Sequence, residues 1–165
     1  MKFFTLSSLI LFLLLSFQSR GQQLSFDQLQ SMVSMPQNEI DTLMKKANYK
    51  LLQKEEDSVS SLHYYSNLEK LTEGPAWVRS VSVLDAAING LNSRLIKYRT
   101  YSKEEYNTIL AALLTNDYHT ASKFTMGNSR HVNYENGKFT VLVKVTNNPL
   151  MNGKVLPTYE FEIGK

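Results

Sequence analysis

The chain has 165 residues, 42% of them apolar, with 18 basic and 15 acidic side chains and a formal net charge of +3. It contains no cysteine, which excludes disulfides, thiol nucleophiles and thiolate metal sites. No basic run offers the phosphate neutralisation that nucleic-acid binding requires. Lys45-Lys46 is flanked by Asp41 and by Glu55-Glu56-Asp57, so it reads as a solvated helix face.

The N-terminus follows the grammar of a cleavable secretory signal: Lys2, then an apolar run from Phe3 to Phe17, then Ser19-Arg20-Gly21 with small residues at −3 and −1. Thr5, Ser7, Ser8 and Ser16 interrupt the run, and it is shorter than the roughly 20 apolar residues of a spanning helix. Cleavage after Gly21 leaves Gln22 as the new N-terminus, with no membrane span after it. Lipidation is excluded because no cysteine stands at the cleavage site. The expected compartment is therefore the periplasm or the medium. Removing 21 of the 165 residues leaves 144, enough to bury about two thirds of the unfolded surface. Loss of Lys2 and Arg20 lowers the 18 basic residues to 16 against 15 acidic ones, so the net charge falls to +1.

Ser25-Phe26-Asp27-Gln28 forms a capping box, followed by Phe26, Leu29, Met32 and Val33 at helical spacing. After Pro36, Ile40, Leu43, Met44 and Ala47 predict a second helix that Asn48 closes. Strand formers fill 49–54 and 62–67, with a turn at 55–58. Thr72-Glu73-Gly74-Pro75 breaks the chain. Trp77, Val81 and Val83 alternate with polar residues and predict a half-buried strand. Asn89-Gly90 predicts a tight turn and 95–101 a further strand. Ser102-Lys103-Glu104-Glu105 is a second capping box before a helix with Tyr106, Ile109, Leu110, Leu113 and Leu114 on one stripe. Strands are predicted at 118–124, 129–134, 138–146 and 158–163, with a hairpin turn at Glu135-Asn136-Gly137 and a loop marked by Asn147-Asn148-Pro149 and Asn152-Gly153.

The order of one helix and four strands thus occurs twice. At an offset of 69, Ile40 meets Ile109, Tyr49 meets Tyr118, Lys54 meets Lys123, Tyr65 meets Tyr134 and Asn67 meets Asn136. Beyond the Gly74-Pro75 break the offset falls to about 62. Trp77 then meets Phe139, and Val81 and Val83 meet Val143 and Val145. Ile96-Lys97-Tyr98-Arg99 aligns with Tyr159-Glu160-Phe161-Glu162. The expected fold is α+β, with helices on one face of an antiparallel sheet. It divides into a signal peptide at 1–21, a first helix-plus-sheet half at 22–101 and a second at 102–165, the halves forming tandem helix-plus-meander repeats in one continuous domain.

This layout resembles the tandem helix-plus-meander architecture of the β-lactamase inhibitor protein. The helix end Leu113-Leu114-Thr115-Asn116-Asp117-Tyr118 before a hairpin is similar to that of small exported bacterial proteins of unknown function. Both resemblances concern layout and transfer no catalytic residue to this chain.

Catalytic and cofactor motifs are not found. His63, His119 and His131 lack metal-ligand spacing, although His63 and His131 would meet if the two hairpins were symmetric. No nucleophile elbow or phosphate loop occurs. Glu104-Glu105 suits the first turn of a helix. Glu160 and Glu162 share a strand face, where they could flank a sugar or bind a cation, or simply face solvent. No cofactor or metal is expected. The tyrosines are numerous, and Tyr64 and Tyr65 must point to opposite faces of a strand. Tyr64, Tyr65, Trp77, Lys97, Tyr98, Arg99 and Tyr134 form the candidate binding surface. The reading is a non-catalytic exported module, of the inhibitor or immunity kind, that binds another exported or envelope protein. The alternatives are a small hydrolase or carbohydrate-active protein and a carrier of a small apolar ligand. Protein recovered from an exporting host should begin at Gln22 on N-terminal sequencing; a start at Met1 overturns the cleavage.

Overall fold

The computed structural model describes residues 23–88, 91–150 and 154–165. The expected signal segment, the turn at Asn89-Gly90 and the Asn152-Gly153 part of the expected loop lie outside the described residues.

The chain enters through α1 (Phe26–Met32), where Ser25 Oγ accepts from the Gln28 amide and Gln28 Oε1 accepts from the Ser25 amide, completing the expected box. Pro36 precedes α2 (Gln37–Lys46). Asn48 then takes a φ of +60°, and the Tyr49 amide donates to the Met44 carbonyl 2.9 Å away. Asparagine tolerates that left-handed geometry, which closes the helix and turns the chain into β1.

Four strands follow as a meander: β1 (Lys50–Glu56), β2 (Ser60–Ser66), β3 (Arg79–Ile88) and β4 (Leu91–Thr100). Next come α3 (Lys103–Thr115) and a second meander of β5 (His119–Met126), β6 (Ser129–Glu135), β7 (Thr140–Pro149) and β8 (Val155–Gly164). The strands form one antiparallel sheet in the order β1-β2-β3-β4-β8-β7-β6-β5. The expected α+β class with an antiparallel sheet is therefore correct.

Where β4 meets β8, Tyr98 lies opposite Phe161, Ile96 opposite Ile163 and Thr100 opposite Tyr159. Both edge strands carry a bulge, between Leu51 and Gln53 in β1 and between Thr120 and Ser122 in β5. Asp117, before β5, has the same φ of +60° as Asn48.

The core lies between the helices and one face of the sheet. Phe26, Leu29 and Met32 of α1, Ile40 and Met44 of α2, and Ile109 and Leu113 of α3 pack on Val81, Val83, Ile96, Tyr98, Val141, Val143, Phe161 and Ile163. Each such side chain contributes about 1.5–3 kcal/mol of burial free energy. Among the described residues no helix is long and apolar enough to cross a membrane.

Two local expectations are corrected. Trp77 belongs to a short 3-10 turn (Pro75–Trp77), and the strand begins at Arg79. Asn147 to Pro149 continue β7, since Asn147, Asn148 and Pro149 pair with Pro157, Leu156 and Val155.

The second capping box forms by half. Ser102 Oγ accepts from the Glu105 amide at 3.3 Å, but the Glu105 side chain turns inward. Its carboxylate, 2% exposed, accepts from Arg79 Nε at 2.8 and 3.0 Å, Tyr98 Oη at 2.5 Å and Thr100 Oγ1 at 2.7 Å. Tyr49 hydrogen-bonds to Tyr98, and Arg79 Nη1 donates to the Trp77 carbonyl at 2.8 Å. Burial drives the Tyr98 hydroxyl well above its ordinary range, with the Tyr49 and Glu105 charges adding to the shift, so it stays a donor.

This knot ties the first turn of α3 to β3 and β4. Arg79→Ala removes the cation paired with a buried carboxylate and should cost about 3–5 kcal/mol in urea unfolding, whereas Tyr98→Phe should cost about 1–3 kcal/mol. Equal and small losses in both variants exclude the role assigned to the knot.

Candidate interaction surface

Strand alternation assigns each side chain to a face. Tyr65, Val81, Val83, Ile96, Tyr98, Tyr159, Phe161 and Ile163 lie in the core on the helix side. Their strand neighbours point to the other face, away from α1, α2 and α3.

The strand pairings align that face in rows. The first row is Leu62, Leu84 and Leu95. The second is Tyr64, Ser82, Lys97, Glu162, Leu142 and Asn133. The third is Ser66, Ser80, Arg99, Glu160, Lys144, His131 and Phe124.

Charge concentrates at the centre of this face. Arg99 Nε and Nη2 donate to Glu160 Oε2 at 3.1 and 2.8 Å, and Lys144 Nζ lies 3.1 Å from Glu160 Oε1. Lys97 Nζ lies 2.6 Å from Glu162 Oε1. Burial pushes the Glu160 carboxyl up, but the hydrogen bonds and charges of Arg99 and Lys144 outweigh it and hold the group below its usual range. At one end His131 stacks on Phe124, with ring centroids 4.6 Å apart and planes 11° apart.

Three of the seven sequence-predicted surface residues, Tyr64, Lys97 and Arg99, share this open face. Trp77 is exposed on its 3-10 turn, outside the strand that was expected to carry it. The other three are buried. Tyr65 lies under α2, where its hydroxyl donates to Asp41 and accepts from Gln37 Nε2 at 2.7 Å. Tyr98 belongs to the Glu105 knot, and Tyr134 packs in the core. These three are unavailable to a partner because alternation turns them inward.

The groups expected for chemistry do not converge. His63 shares the helix side with Tyr65, and its ring is roughly parallel to that of Tyr65, whereas His131 lies on the opposite face in the other meander; the two do not meet. His119 is exposed beside Glu135 at 3.3 Å. Glu160 is not a solvated strand residue as its position implied. It is buried, and an ionised carboxylate clamped between two cations is a poor general acid. Among the described residues no group of three His, Asp or Glu could hold a metal.

An open groove of about 1,090 Å³ lies beside the α1–α2 link, lined by Met35, Val59, Leu91 and Arg94 among others. Arg94 is spent on Asp85 and on the carbonyls of Met32 and Met35. Among the described residues, the core side chains named above lie between the helices and the sheet.

The Glu105 and Glu160 networks were missed in the sequence reading. Glu105 was legible in principle: it stands four residues before Ile109 and eight before Leu113 on the buried stripe of α3, and Arg79 alternates with Val81 and Val83. Nothing local marks Glu160, whose partners come from strands distant in sequence.

Comparison with protein-family models, with curated proteins and with solved structures finds no match to this chain.

A carboxylate with a lowered folded-state pKa stabilises fully above its unfolded pKa, and loses that effect as pH falls through the folded value. The stability lost in Glu160→Gln should be roughly 1–3 kcal/mol at neutral pH and should shrink steadily below about pH 5. Urea midpoints of both proteins across pH 3–7 measure it; a gap that is constant over that span rules out the clamp as an acid-sensitive element.

Proposed function

We propose that this protein is an exported, non-catalytic module that binds another exported or envelope protein through the open face of its sheet. The observation that carries the reading is an eight-stranded sheet with α1, α2 and α3 packed on one face, whose other face combines Leu62, Leu84 and Leu95 with Tyr64, Lys97 and Arg99. An apolar row beside tyrosine and arginine has the composition of protein interfaces. Export rests on the N-terminal signal grammar, and a role of the inhibitor or immunity kind accords with the resemblance in layout to the β-lactamase inhibitor protein.

The same reading includes an origin in two helix-plus-meander half-repeats. Support comes from features 69 residues apart: Asn48 and Asp117 with positive φ, the bulges in β1 and β5, and the buried pairs Tyr49 and Tyr118, and Tyr65 and Tyr134. Tyr65 and Tyr134 lie opposite Val81 and Val141, which lie opposite Tyr98 and Ile163, so the β4–β8 register fits a two-fold axis at the pair Lys97 and Glu162. The half-repeats make the open face continuous across their junction.

The purified protein, immobilised and exposed to envelope and secreted fractions of its source, should retain a specific partner. Leu84→Arg should abolish that retention, and Lys45→Ala on α2 should leave it unchanged. Retention of nothing above background, or equal retention by Leu84→Arg, removes the proposed function.

A further inference from the structure

The charges of the open face are not evenly presented. The Glu160 and Glu162 side chains are 4% and 22% exposed, whereas Arg99, Lys97 and Lys144 are 43%, 38% and 32% exposed. The carboxylates are sunk and the cation heads stand outward. A partner therefore meets positive charge, although every cation is internally paired.

Arg99 stands out among the three. Its Nε and Nη2 are fixed on Glu160, and its Nη1 makes no hydrogen bond among the described residues. Tyr64 stands on the same face one row away and two strands over, Tyr101 follows two residues after Arg99 just past the end of β4, and neither hydroxyl is hydrogen-bonded among the described residues. Tyr64 reaches this region across β3, which presents only Ser80 and Ser82 there.

We infer that this cluster takes a carboxylate from an acidic segment of the partner protein, with Arg99 Nη1 and the hydroxyls of Tyr64 and Tyr101 as its donors; this rests on the open face being the docking surface. Glu160 holds the guanidinium in place beforehand, so little side-chain entropy is lost on binding. Charge-assisted bonds from arginine are the stronger kind, and the fork suits a planar carboxylate. At the centre of the face three cations against two anions leave an excess of one, which matches a single carboxylate and is too small for a polyphosphate chain.

Titration calorimetry and nitrogen-edited NMR of the purified protein test this with three probes: a capped neutral peptide bearing an Asp pair, its Asn counterpart, and inorganic phosphate. The Asp peptide should bind saturably and shift the Arg99 Nε and Tyr101 signals, and the other two should not. Arg99→Lys should weaken it about tenfold and Tyr101→Phe several-fold, with Lys45→Ala indistinguishable from wild type. If Arg99→Lys lowers the melting temperature, Tyr101→Phe, which deletes a hydroxyl alone, carries the test. Equal binding of the Asn peptide or of phosphate, or equal weakening by Lys45→Ala, overturns the inference. So does a retained partner that responds to Leu84→Arg and ignores Arg99→Lys, which leaves the docking face intact; a partner indifferent to both removes face and carboxylate together.

Discussion

The pairing of β4 with β8 is the constraint on which the rest depends. Every other strand pair joins neighbours in sequence and could form within its own meander. The β4–β8 pair alone brings together residues about sixty positions apart, as Tyr98 and Phe161 are, and makes one sheet of eight strands. Once it is made, β5 must lie at the far edge, four strand spacings or about 19 Å from β4. The thirteen residues of α3 rise about 20 Å and, with short links at each end, carry the chain across. The crossing takes place over one face, and the core forms beneath it.

The Glu105 knot anchors the start of that crossing. Its carboxylate has left its cap for Arg79, Tyr98 and Thr100, so the first turn of α3 is tied to the end of β4 and the start of β3. A buried ion pair is not a strong source of net stability, but removing one partner strands the other in an apolar setting. The knot therefore acts on specificity of arrangement: α3 can begin at one place only. Glu160 plays a related part on the opposite face. It holds Arg99 and Lys144 in fixed positions across three strands, giving the open face an ordered charge pattern.

The two faces of the sheet have divided their roles accordingly. Tyr65, Tyr98 and Tyr134 resemble Tyr64 in type, yet they serve the core because alternation turns them inward. Lys97 and Arg99 fall outward on either side of Tyr98 by the same rule. The open face is defined by this parity and by its place away from α1, α2 and α3, more than by any motif.

The sequence by itself determined the helices, most of each strand, the closure of α2 at Asn48, the first capping box and the opposed faces of Tyr64 and Tyr65. All of these are local: periodicity, caps and turn residues act within a few positions. Even the inward place of Glu105 and Arg79 was legible in their stripe and alternation. Only the tertiary structure decided that β4 lies beside β8, that His63 and His131 lie on opposite faces, and that Glu160 sits between Arg99 and Lys144. Those depend on which strands become neighbours, and the energy that selects them comes from burying a shared core between segments far apart in the chain. The open face first took shape there: its residues were readable one by one, but their rows were not.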